Sequence, residues 1–184
     1  GLMENGFTHD EAAEIVANSV KLFLEAREEW WNAEGKAQGR VYPLCLAGIG
    51  PYGAYLADGS EYRGNYGVSD EALRTFHKER MEILWNAGAD ILLIETQPSL
   101  QEALIEAEIA EEMGADYWIS FSCKDGHHIH EGNTIAECAR VLSENHPGLK
   151  MVGVNCSKPE HIVSLIRDIK QETNLPVGVK SEAK

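Results

Sequence analysis

Positive charge is scarce in this sequence. Its 184 residues carry 16 Lys+Arg against 30 Asp+Glu, a formal net charge of −14 at pH 7. Coulomb repulsion then opposes a phosphate backbone before any contact forms, which argues against nucleic acid as a partner. The basic face that a peripheral binder of anionic membranes presents is also missing. Long apolar runs are absent: stretches such as Ile91 to Ile94 fall far short of the ~20 residues that cross a bilayer, so no membrane association is expected. No charged-then-apolar leader opens the chain. Four cysteines in this length do not make a disulfide framework, and the expected setting is reducing and cytoplasmic. The familiar signatures C-x-x-C, H-E-x-x-H, G-x-S-x-G and the P-loop are all absent.

What is present is alternation. Thr8 with Glu11 forms a capping box ahead of a helical run through Val16, Val20, Leu24 and Trp31. Gly35 to Gly39 breaks it, and Val41 to Ile49 reads as a strand. A Gly- and Tyr-rich loop, Gly50 to Gly67, leads to a helix capped by Ser69 and stopped at Gly88. Strands follow at Asp90–Glu95, Tyr117–Cys123, Met151–Cys156 and Pro176–Val179. Between them lie helices capped by Ser99/Glu102, Thr134/Glu137 and Ser157/Glu160, the last with Pro159 in its first turn. Apolar strands joined by helices make a parallel α/β sheet, either an open doubly wound sheet or a (β/α)8 barrel. The barrel typically needs about 250 residues, so that reading requires strands missing at both ends. The chain starts at Gly1, directly in helical pattern, and is expected to be one partial domain of a longer protein.

Both architectures collect chemistry at the C-terminal ends of the strands. Glu95 ends an apolar run, where a carboxylate is costly unless paired or half solvated. It can hold a substrate ammonium, act as a base, bind a metal or form a structural ion pair. Asn155 and Cys156 end another run, just before an expected helix N-terminus that would favour a thiolate. Such a thiolate is a nucleophile or a zinc ligand, against the alternative of a small packed thiol. Cys123 is placed similarly, whereas Cys45 and Cys138 read as packing residues. Gly48, Gly50 and Gly53 match a dinucleotide fingerprint, but Pro51, Tyr52 and a long loop intervene before the next helix, so a tight turn is favoured. The tyrosines of that loop can wall a cation site or simply pack on the rim. His127, His128 and His130 share one loop and read as solvated.

Three stretches resemble the homocysteine S-methyltransferase family. They are the loop GPYGAYLADGSEYRGNY (Gly50 to Tyr66), Glu95-Thr96-Gln97-Pro98 and Gly153-Val154-Asn155-Cys156. The strand end Ser120-Phe121-Ser122 matches in kind, and the likeness runs from about Gly1 to Val179. The resemblance implies a (β/α)8 barrel that transfers methyl from S-methylmethionine or S-adenosylmethionine to homocysteine, giving methionine. It implies zinc at the mouth, held by Cys156 and by an adjacent cysteine pair that has no counterpart in this chain. It also implies small-molecule substrates, with Glu95 taking the homocysteine ammonium, Asn155 and Ser122 lining its pocket, and Tyr52 shaping the donor site. From Lys180 to Lys184 the sequence departs from the family pattern.

Overall fold

A computed structural model describes residues 1–180. The departure expected after Val179 therefore lies outside the described residues, apart from Lys180. A 3-10 turn at Met3–Asn5 precedes α1 (His9–Trp30). The Thr8 capping box forms in both directions: the Thr8 amide donates to Glu11 Oε2 at 2.8 Å, and the Glu11 amide donates to Thr8 Oγ1 at 3.3 Å. The helix runs on into a π-turn at Trp31–Gly35. Strand β1 is only Leu46–Ile49, shorter than expected. Pro43 has no N–H to offer a ladder, its carbonyl accepts from Arg27, and the Cys45 amide donates to the Asp90 carboxylate at 2.6 Å. Val41 is accordingly left 89% exposed.

The loop after β1 is more ordered than the sequence reads. It holds a short helix, α2 (Tyr52–Leu56), and a 3-10 turn at Ser60–Tyr62. Helix α3 (Asp70–Asn86) follows its Ser69 cap, whose hydroxyl accepts from the Ala72 amide at 3.2 Å. Strand β2 is Ile91–Gln97 and α4 is Leu100–Glu112. Ser99 caps α4 by accepting from the Glu102 amide, but Glu102 does not return the bond; its side chain is engaged elsewhere. Then come β3 (Tyr117–Phe121), α5 (Ile135–Asn145) capped by Thr134, and β4 (Leu149–Asn155). The expected cap of the next helix at Ser157 does not form. The Ser157 hydroxyl donates to Asn155 O and accepts from the Cys123 amide, stapling the ends of β3 and β4. A 3-10 turn at Pro159–His161 intervenes before α6 (Ile162–Glu172), and β5 is Val177–Lys180.

All five strands are parallel, in the order β1-β2-β3-β4-β5. This order disfavours the doubly wound sheet. A doubly wound sheet reverses its winding at a switch point, so that helices cover both faces. Sequential order has no such point, and right-handed crossovers then put the helices on one face. Burial agrees. Ala47, Ile49, Leu92, Ile94, Ile119, Phe121, Val152 and Val154 point into a closed core against the helices. Leu46, Leu93, Trp118 and Met151 occupy the other face and stay partly exposed, so the Ile91–Ile94 run is not buried on both sides. The sheet is an arc whose outer strands, β1 and β5, do not pair with each other; the described residues form no closed barrel, and the barrel reading of the sequence has strands missing at both ends.

Gly153 sits opposite Gly178 in the β4–β5 register. A Cβ on Gly153 would collide with the Gly178 carbonyl oxygen and come within 3.0 Å of its carbonyl carbon. Backbone cannot yield as a flexible side chain can. Gly153→Ala in a full-length protein carrying this sequence is expected to cost about 1–3 kcal/mol in denaturant unfolding. Unaltered stability would contradict this close approach.

Candidate active site at the strand ends

Parallel strands bring their C-terminal ends to one rim, where the chain supplies Glu95-Thr96 from β2, Ser122 just past β3, and Asn155-Cys156 from β4. Two backbone conformations there are unusual. Thr96 has φ +64° and Cys156 has φ +48°. A positive φ is an outlier for a β-branched residue, and each such residue costs on the order of 1–3 kcal/mol. At Thr96 it coincides with a break in the β2–β3 register between Ile94 and Gln97.

Asn155 holds both turns. Its Oδ1 accepts from the Thr96 amide at 2.9 Å. Its Nδ2 donates to Thr96 Oγ1 at 2.7 Å and lies 3.5 Å from Cys156 Sγ. A carboxamide carries an acceptor and a donor on two separate atoms of one short stem, which suits an asparagine here. Thr96 Oγ1 is itself 3.8 Å from Cys156 Sγ. Ser122, fully buried, donates from Oγ to Thr96 O at 3.4 Å, and its amide donates to Gln97 O at 3.0 Å. Thr96 is thus bound at amide, hydroxyl and carbonyl. Sequence reasoning assigned it no role, because nothing local in the sequence marks a positive φ on a threonine.

Glu95 points to the open face of the sheet. It borders a cavity of about 300 Å3 together with Leu46, Leu93, Trp118, Met151 and Asn155. Its Oε2 is 3.7 Å from Lys180 Nζ, a loose pair with a well-exposed lysine that adds little stability. Cys156 is half-buried beside this cavity rather than in its wall. The helix-end effect expected on its thiol lacks a basis, since α6 begins only at Ile162. The other three cysteines are buried. Burial pushes the Cys123 thiol up to about 12, and also raises Cys138 and Cys45, which fits packing.

The histidine loop divides. His127 pairs with Asp168 at 2.7 Å and His128 with Asp125 at 3.0 Å, both at the surface. Among the described residues no group of three His, Cys, Asp or Glu is placed to hold a metal ion. His130 behaves differently from its solvated reading. It is half-buried, its Nδ1 is 3.2 Å from Ser122 Oγ, and its ring meets Tyr62 edge-on at 5.6 Å. Burial lowers its pKa, which favours the neutral imidazole.

Tyr52 is held in another set of contacts, edge-on to Phe76 of α3 at 4.9 Å and against Tyr66 at 5.5 Å. The fingerprint glycines do open onto a helix, α2, but it has five residues and its first amide, Tyr52 N, donates to Glu102 Oε1 at 2.6 Å. A carboxylate already stands where a phosphate would bind. Gly53 is required for packing: a Cβ there would lie 2.6 Å from the Ser60 carbonyl carbon and 2.7 Å from the Tyr66 ring. A larger cavity of about 700 Å3, walled by Val16, Ala54, Phe76, Arg80 and Ile83, lies between α1, α2 and α3, and none of the rim residues lines it.

Comparison with known proteins places this geometry. The family model described as homocysteine S-methyltransferase matches residues 2–184. The homocysteine S-methyltransferase YbgG of Bacillus subtilis is 46% identical over 97% of this chain and 57% of its own length. Homocysteine S-methyltransferase 4 of Zea mays is 42% identical over 97% of the chain and 54% of its own length. The chain thus spans about half the length of the curated relatives it matches. The crystal structure of the metallated homocysteine methyltransferase MmuM from Escherichia coli superposes with a TM-score of 0.91 at 34% identity, over 99% of this chain and 62% of that one. No helix among the described residues is long and apolar enough to cross a membrane.

The burial pattern predicts the order of thiol reactivity. Alkylation of the folded protein near neutral pH, followed by peptide mapping, is expected to label Cys156 ahead of Cys45, Cys123 and Cys138. Asn155→Asp puts a carboxylate beside the sulfur in place of a donor and is expected to slow Cys156 labelling about tenfold. Labelling of Cys123 or Cys138 first would contradict the geometry.

Proposed function

The chain belongs to the homocysteine S-methyltransferase family, and from that premise we propose that the protein moves a methyl group from the sulfonium of S-methylmethionine or S-adenosylmethionine to the thiol of homocysteine, giving methionine. The observation that carries this reading is the meeting of a half-buried thiol, Cys156, with the Asn155 amide and the Glu95 carboxylate at one rim of a parallel sheet. We read the arc as part of a (β/α)8 barrel. Its unreversed strand order and one-sided helical cover support this, since both are what a barrel requires.

Zinc is the metal this reading calls for. A thiolate is a soft donor suited to it, and Cys156 Sγ has polar neighbours in Asn155 Nδ2 and Thr96 Oγ1. With no complete ligand set among the described residues, Cys156 is read as the one ligand this chain contributes, and two further cysteines are assigned to sequence outside it. A metallated relative supports a metal of some kind. When bound, zinc lowers the pKa of a substrate thiol so that it is deprotonated near neutral pH.

The chain's own residues do the rest by positioning. Asn155 Nδ2 points at Sγ from 3.5 Å and helps to fix where the sulfur lies. Glu95 takes the ammonium of homocysteine; the Lys180 ammonium 3.7 Å away supports its accepting a cation. Asn155 and Ser122 orient the amino-acid portion, with Thr96 holding both. Tyr52 and the loop after it shape the donor site, where aromatic faces suit a sulfonium. The substrate sulfur attacks the methyl carbon in line, and the donor leaves as a neutral thioether, so no general acid is needed. The acidic protein field suits a cationic donor.

The rival reading as a nucleotide-binding module is disfavoured by Glu102 at the start of α2 and by the lack of a switch point. One experiment separates the others: methyl transfer and zinc content measured together on the full-length protein. Active wild-type protein with about one zinc per chain is expected, and Cys156→Ala is expected to lose metal and at least about a hundredfold in rate. Glu95→Gln is expected to raise KM for homocysteine about tenfold or more while metal content holds. A zinc-free, fully active Cys156→Ala protein would remove the proposal. Thiol-dependent turnover without metal would instead make Cys156 a covalent nucleophile.

A further inference from the structure

Behind the rim, between α3 and α4, lies a buried charged cluster that the proposed reaction does not use. His77, Glu102 and Glu106 have no exposed side-chain surface. His77 Nε2 is 2.8 Å from Glu102 Oε1, and His77 Nδ1 is 3.0 Å from Glu106 Oε1. Arg80, one turn along α3, completes the group; its Nη2 is 3.0 Å from His77 Nδ1 and donates to Gly50 O at 3.0 Å. The Tyr66 hydroxyl is buried beside Glu102, and burial and that carboxylate both push its pKa up. Burial raises the Glu106 pKa, and the neighbouring His77 and Arg80 oppose that rise. Burial alone would strip the proton from His77; Glu106 and Glu102 outweigh it and hold the imidazolium pKa up to about 9.

Two of the cluster's bonds reach out to one place. Glu102 accepts from the Tyr52 amide at 2.6 Å, and Arg80 donates to the Gly50 carbonyl. These are the backbone groups on either side of Pro51, at the point where the loop leaves β1. The far end of the loop is tied to the rim itself. The Asn65 amide donates to Glu131 Oε1 at 2.7 Å, and Tyr62 meets His130, which in turn contacts Ser122. Glu102 gives up half of its own helix's capping box to reach Tyr52. Local helix stability alone would send that carboxylate back to Ser99.

We propose that Glu102, His77 and Arg80 are positioning residues, which from the outer helical layer fix the Gly50–Pro51–Tyr52 turn and with it the seat of the Gly50–Gly67 loop on the rim. His77 acts through Glu102: its Nε2, 2.8 Å from Oε1, keeps the carboxyl aimed at the Tyr52 amide. The loop is then set by this cluster at its entry and by the rim at its exit.

The test is hydrogen–deuterium exchange on the full-length protein, comparing wild type with Glu102→Gln and with His77→Gln. Exchange in peptides covering 50–67 is expected to quicken about tenfold in both variants, with β3 and β4 peptides unchanged. Unchanged loop exchange, or equal quickening everywhere, would overturn the proposal; if one variant is insoluble, the other decides. A kinetic arm, which rests on the methyl-transfer reading, expects KM for the sulfonium donor to rise about tenfold with KM for homocysteine held. Equal rises in both constants would count against the proposal. A protein without methyl-transfer activity would end the functional reading and leave the exchange measurement to decide this one.

Discussion

The Asn155 side chain spans from the end of β4 to the end of β2, passing the end of β3. It accepts from the Thr96 amide and donates to the Thr96 hydroxyl, and the same amide nitrogen faces Cys156 Sγ. The remaining features of the rim depend on this bridge. Two non-glycine residues sit at positive φ on either side of it, and hydrogen bonds to neighbouring groups are what make such conformations persist. With Thr96 turned this way, its carbonyl is presented to Ser122 and its hydroxyl to the sulfur. The Cys156 thiol stays half-buried, whereas the other three cysteines are buried.

Around the bridge the structure separates two tasks. The face toward the helices carries the stability: aliphatic and aromatic side chains close against α3 to α6. The opposite face stays partly open and carries Glu95 and the cavity it borders. Gly153 lets β4 approach β5 closely two residues before Asn155, where a Cβ would meet the Gly178 backbone. Between α3 and α4, the buried cluster of His77, Arg80, Glu102 and Glu106 reaches back to the loop that edges the rim. The site is thus built on rigid elements and supported from the layer behind, as positioning catalysis demands.

Much of this was legible in the residues. The βα alternation could be read because helical and strand periodicities differ, and the caps at Thr8, Ser69, Ser99 and Thr134 formed where local pattern placed them. Glu95, Ser122, Asn155 and Cys156 could be picked out because a polar residue ending an apolar run is costly without a purpose. What the sequence hid was set by partners far along the chain. Ser157 was read as a cap but bonds across β3 and β4, and Glu102 was read as half a capping box but serves Tyr52 and His77. His130 was read as a solvated loop residue, yet it faces Ser122 from within the fold. Thr96 shows the limit most plainly: its role depends on a backbone angle and a cross-strand amide, neither of which leaves a local mark.

The account stands on Cys156 and Glu95 holding the two ends of one substrate. A crystal structure of the full-length protein with zinc and homocysteine measures this directly. The account predicts Cys156 Sγ about 2.3 Å from the metal, the homocysteine sulfur on the same ion and its amino group on the Glu95 carboxylate. A metal bound without Cys156, or a homocysteine whose ammonium lies away from Glu95, would contradict it.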